Sequence, residues 1–312
     1  MQFPKGQGHS QWHPRNRTSH RRRPKPPRSQ RHHRARLQHP SSADLVNTSS
    51  GTLKTATGIQ SQSGKVTISA NTLRNQGLLA AAQDLDIQAW SIDNQQGTLA
   101  AVQGNLQLST SQGGLDNRDG RIQLAKDLTL TLQGNGNSLR NTGGKIQSIS
   151  GQAHISSGAL DNSAGLISTG GALNIDTHGQ TLTNQDSHSN DGTRPLGLIA
   201  TGDLRIQAAD INNRSGLIQT QGTLNVQAND VGNNAPNALI FSAKDSTLTL
   251  RNLDNNGGKI LAVGALTLQA SDTVTNTKGL LRAGSELGVT SSRIQNTQNR
   301  RIKPTICDHA TD

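Results

Sequence analysis

The sequence predicts an all-β fold: a right-handed parallel β-helix solenoid preceded by a disordered basic segment. Three observations carry that expectation. An aliphatic–any–Asn triplet recurs through most of the chain. Aliphatic and polar residues alternate between the triplets. The first forty residues have a composition unlike the rest.

The triplet begins at Leu45, Leu73, Ile92, Leu115, Leu139, Leu160, Leu182, Ile211, Val231, Leu253, Val274 and Ile294. Its asparagines are Asn47, Asn75, Asn94, Asn117, Asn141, Asn162, Asn184, Asn213, Asn233, Asn255, Asn276 and Asn296. The mean step is about 22 to 23 residues, a period that signals a solenoid. Between triplets, Leu106-Gln-Leu108, Leu173-Asn-Ile175, Leu224-Asn-Val226 and Leu266-Thr-Leu268 each set two aliphatics on one face and polar residues on the other. A period of two means strand. Gly165, Gly216, Gly258 and Gly279 fall just before a second aliphatic segment, where a turn needs a permissive residue. No sustained apolar face of helical period is present.

Each unit therefore holds three short strands that can bury nothing alone. Stacked coils bury their aliphatics in columns. Eleven coils at strand spacing make a rod of about 50 Å, and the usual hand of parallel crossovers makes it right-handed. Only Trp90 and Phe241 are aromatic within the repeats, so the expected core is narrow and aliphatic. The repeated Asn reads as a structural ladder. Each Asn turns the chain and stacks on its equivalents above and below, rather than lining a ligand track.

Residues 1 to 40 hold 11 of the 31 Lys and Arg, 6 of the 10 His and 6 of the 9 Pro, with no Asp or Glu. The rest of the chain balances its charges, so the net charge of +11 belongs to this segment. Self-repulsion and a lack of apolar residues predict disorder. Its composition also fits a coding region read out of frame. The expected division is a basic segment 1–42, a β-helix 43–298 and a disordered tail 299–312. No secretion signal is visible at the start, and no apolar run reaches membrane-spanning length. Cys307 is the only cysteine, which excludes an intramolecular disulfide. An insertion at 185–195 carries Asp186, His188 and Asp191 without the spacing of a defined metal site.

The units Leu160-Asp-Asn-Ser-Ala-Gly-Leu-Ile167, Leu115-Asp-Asn-Arg-Asp-Gly-Arg-Ile122, Ile211-Asn-Asn-Arg-Ser-Gly-Leu-Ile218 and Leu253-Asp-Asn-Asn-Gly-Gly-Lys-Ile260 resemble the filamentous-haemagglutinin repeats of bacterial two-partner-secreted exoproteins. The resemblance implies a β-helical filament at the cell surface. It implies an outer-membrane transporter partner and receptors on host or neighbouring cells for the parent protein. Its secretion domain and effector domain are not seen in this sequence, so the chain reads as a shaft fragment of an adhesin. The alternative is the shaft of a contact-dependent growth inhibition toxin.

Two other classes are weighed. A polysaccharide-acting β-helix enzyme needs clustered carboxylates in distinct environments. Here Asp93, Asp116, Asp161 and Asp254 recur singly beside the Asn position. Nucleic-acid binding through the basic segment would be non-specific and salt-dependent. No catalytic site, cofactor or specific nucleic acid is expected.

Overall fold

The structure, a computed structural model, describes residues 45–55, 58–188 and 196–297. The basic segment 1–42, the tail 299–312 with Cys307, and Asp191 of the insertion lie outside the described residues. The coils belong to the unit Gln38–Asp312.

The described residues form thirty β-strands, paired in parallel, in a sheet of nineteen and a sheet of eleven. They wind into a β-solenoid of about eleven turns. Three ladders run along it. The first contains Leu106–Thr110, Leu128–Leu132, Ala153–Ser156 and Leu173–Asp176, in register from Leu106 through Leu128 and Ala153 to Leu173. The second contains two-residue strands such as Leu139–Arg140, Leu160–Asp161 and Leu182–Thr183. Where the corner between these two ladders is short, one strand runs through both, as in Val66–Asn75 and Leu85–Asp93. The third ladder is the eleven-stranded sheet, from Ile59–Ser61 to Leu280–Ala283.

Alternation decides which face each strand buries. Leu106, Leu108, Leu128, Leu130, Ala153, Ile155, Leu173 and Ile175 stack in two columns and are almost fully buried. Leu115, Leu139, Leu160 and Leu182 fill a third column, and Leu99, Ile122, Ile146 and Ile167 a fourth. A fully buried aliphatic side chain is worth roughly 1.5 to 3 kcal/mol. Both repeat-zone aromatics stay out of this core: Trp90 is 47% exposed and Phe241 only half-buried. The core is not wholly aliphatic. Ser148, Thr169, Thr220 and Ser242 occupy the end of the third-ladder strands. Their hydroxyls donate to the corner carbonyls of Lys126, Gly171, Gly202 and Lys244, which satisfies a polar group that burial would otherwise penalise.

One repeat assignment needs correction. Asn47 stands opposite Ile68 in the first ladder, and the position opposite Asn75 is Thr55. The triplet at Leu45 matches the pattern by composition alone. It lies in the first ladder, where side chains alternate, and not at the corner where the asparagines gather.

Candidate functional site

The densest polar feature is the corner after the second ladder. Asn75, Asn94, Asn117, Asn141, Asn162, Asn184, Asn213, Asn233, Asn255 and Asn276 stack there, each at most 2% exposed. Each Nδ2 donates to the Oδ1 of the next coil's Asn, ten links in all when Asn276 to Asn296 is included, at 2.6 to 3.1 Å. The second amide hydrogen closes the local turn, as when Asn162 donates to Gly165 O at 3.3 Å. Asn296 accepts the last link but is itself exposed. An amide carries both donor and acceptor, so one residue type can satisfy the neighbours on both sides. The column is therefore a packing device, sealed from solvent, with no room for a ligand.

The glycine after this turn has a different role from the one its sequence position suggests. Gly165 has no positive φ; the left-handed residue is Ala164, at 49°. A Cβ on Gly165 would lie 2.3 Å from Asn141 O and 2.7 Å from Asn162 Oδ1. The residue is glycine because the coil above passes too close for a side chain.

The acids beside the column are single and occupied. Asp93, Asp116, Asp161 and Asp254 each accept, through Oδ1, the backbone N–H two residues on, at 3.0 to 3.2 Å. A second row was not found from the sequence. Asp84, Asp127, Asp203 and Asp245, just before first-ladder strands, accept the N–H of Asn105, Gln152, Thr223 and Ala265 from the following coil, at 2.7 to 3.0 Å. The bond from Thr223 holds the Asp203 carboxyl below the usual carboxylate range. Burial works against the Asp116 charge, but the Arg118 hydrogen bonds outweigh it and lower that carboxyl too. The Arg251 guanidinium does the same for Asp230. Asp86 is opposite in sign. Burial raises it, Lys65 only partly offsets this, and its buried Oδ1 has no hydrogen-bond partner.

Between the first and second ladders lie two open grooves. One, of about 490 Å³, is lined by Asp176, Gln207, Gln227 and Arg251; the other, of about 270 Å³, by Gln88, Trp90, Ser109 and Gln133. Beside the larger one, three residues from two coils meet. His178 Nε2 lies 2.8 Å from Ser156 Oγ, and His178 Nδ1 lies 3.7 Å from Asp176 Oδ2. These partners are 22 residues apart in sequence, one coil step, and nothing in the repeat pattern marks them. Among the described residues no group of three His, Cys, Asp or Glu forms a metal site. Asp186 sits exposed in its turn, while His188 Nδ1 meets the Asn237 carbonyl oxygen.

The model of the haemagglutinin repeat matches residues 48–119, 197–235, 230–278 and 262–303, together more than half of the chain. The chain belongs to the haemagglutinin repeat family. No curated protein and no solved structure matches it. The haemagglutinin repeats thus cover both ends of the coil stack. Between them, residues 120–188 keep the same ladders in register, from Lys145 opposite Arg121 to Leu166 opposite Lys145. Among the described residues no helix is long and apolar enough to cross a membrane.

Proposed function

We propose that this chain is shaft: a structural segment of a secreted, filamentous haemagglutinin-like protein that holds an adhesive end away from the bacterial surface. The observation that supports this most is the unbroken Asn column beneath continuous aliphatic columns. Each coil contacts only its neighbours, so the stack extends by repetition without a closed core. The column amides and the two rows of aspartates are spent on turns and inter-coil bonds, as a spacer requires. In this reading the parent protein leaves the cell through an outer-membrane transporter and meets receptors on host or neighbouring cells. The division into basic segment 1–42, shaft 43–298 and tail 299–312 belongs to the same proposal.

The test uses the purified full chain. Electron microscopy of single particles is expected to show rods of about 50 Å, as eleven coils at strand spacing require. Beads coated with the chain are expected to adhere to epithelial monolayers no better than bare beads, because adhesion belongs to the end that the shaft carries. Globular particles would overturn the shaft reading. Rods whose beads adhere well above bare ones would overturn the spacer role and put adhesion on the shaft itself.

A further inference from the structure

We infer that Ser156, His178 and Asp176 form a nucleophilic site on the solvent face of the first ladder, able to hydrolyse short acyl esters. The fold builds it through an irregular corner. Most first-to-second-ladder corners are tight, but the one after Leu173–Asp176 is longer and makes an extra turn. Gln180 N donates to Thr177 O at 3.0 Å, with His178 and Gly179 both left-handed at φ 50° and 71°. Asp176 Oδ1 accepts the His178 N–H at 2.8 Å and anchors the turn. The imidazole is thereby carried back over the preceding coil, onto Ser156.

The register supplies an internal comparison. Ser69, Ser109 and Ser156 occupy the same outward position of the first ladder. Only Ser156 has a histidine nitrogen within hydrogen-bond distance. A serine with an adjacent base, itself oriented by a carboxylate, is the general arrangement of an activated nucleophile. The 3.7 Å separation of Nδ1 and Oδ2 is longer than a hydrogen bond, so the carboxylate acts on the ring through its charge, favouring the imidazolium that forms as Ser156 gives up its proton.

Ser156 Oγ attacks the ester carbonyl carbon and passes its proton to His178 Nε2. The alkoxide leaves and recovers that proton as the free alcohol. Water, deprotonated in turn by His178, then attacks the acyl-serine. The carboxylic acid departs and Ser156 regains its proton. The neighbours across the face are Thr131, His154 and Asn174, all polar. This face suits a small acyl group presented on a surface rather than a long lipid chain. Asp176 is a positioning residue.

The full chain is treated with a fluorophosphonate probe and, separately, with p-nitrophenyl acetate. Mass spectrometry is expected to find the probe on Ser156. S156A abolishes labelling, and S109A leaves it unchanged. H178Q slows labelling and ester hydrolysis by roughly 100-fold, the usual loss on removing a general base. D176N also slows both, and D176E restores part of the rate. Circular dichroism checks that each variant keeps its β spectrum. Absence of probe on Ser156, equal labelling of Ser69, Ser109 and Ser156, or wild-type rates in H178Q would each overturn the assignment.

Discussion

Replacing Asn162 by Leu tests whether the buried amide column stabilises the stack. Asn162 Nδ2 donates to Asn184 Oδ1 at 2.8 Å, and its Oδ1 accepts from Asn141 Nδ2 at 2.7 Å. Leucine removes both links. Asn141 keeps partners, because its Nδ2 also donates to Gly144 O and Leu166 O. Asn184 Oδ1 loses its donor and stays buried. Two lost inter-coil bonds at about 1 kcal/mol each, about 0.5 kcal/mol for the longer bond to Gly165 O, and at least about 1 kcal/mol for the stranded acceptor give a cost of about 3.5 kcal/mol. Asn174 is the control: it is half-buried and outward-facing on the strand Leu173–Asp176, so Asn174→Leu changes stability by no more than about 0.5 kcal/mol. Coils contact only their neighbours, so a local probe is the right assay. Hydrogen exchange in Leu160–Asp161 and Leu182–Thr183 is expected to quicken by roughly 300-fold in the first variant, since each 1.4 kcal/mol is a factor of ten. Equal exchange in the two variants would refute the reasoning.

Three further expectations follow from the same geometry. Gly165→Ala forces a Cβ into Asn141 O, whereas a Cβ on Gly136 meets nothing within 4 Å; thermal melts should show a clear loss for the first and almost none for the second. Asp86→Asn should raise stability at neutral pH, because the wild-type carboxylate is desolvated. That advantage shrinks as pH falls from the raised Asp86 value towards the ordinary 3.8, where the wild-type group takes up its proton. Urea midpoints across acid pH would follow it, and a constant difference would contradict the assignment. Asp203→Asn has the opposite sign. The carboxyl is held below 3.8, so its contribution persists through mildly acid pH and is lost only as pH falls through that lowered value. The variant and wild type should therefore converge only in strong acid.

Much of the architecture was legible because its physics is local. Leu173-Asn-Ile175 announces a strand, and each Leu-x-Asn announces a corner; both signals survive in a single sequence since every coil repeats them. What was not legible depends on which coil lies next to which. Asn47 satisfies the triplet but stands in register with Ile68. Gly165 looks like a flexible turn residue, yet only the passage of Asn141 overhead explains it. The row of Asp84, Asp127, Asp203 and Asp245 is interrupted in the intervening coils by Asn105, Gln152, Ala172 and Thr223, which hides the aspartates' shared role in holding the next coil. Ser156 and His178 become neighbours only because the corner after Leu173–Asp176 turns back over the preceding coil.

The aspartates beside the column bear on how the protein ages. An asparagine deamidates when the backbone nitrogen of the following residue attacks its side-chain carbonyl carbon and expels ammonia. Here that nitrogen is already engaged. Gln95 N donates to Asp93, Arg118 N to Asp116, Ser163 N to Asp161, Arg214 N to Asn212 and Asn256 N to Asp254. The residue before each of these asparagines thus restrains the nucleophile after it. The protection matters because the column runs one way, with every amide giving a hydrogen to the next. A single conversion of Asn162 to Asp would set two oxygens against each other at Asn184, and the fault would lie in the one polar column shared by every coil from Asn75 to Asn276.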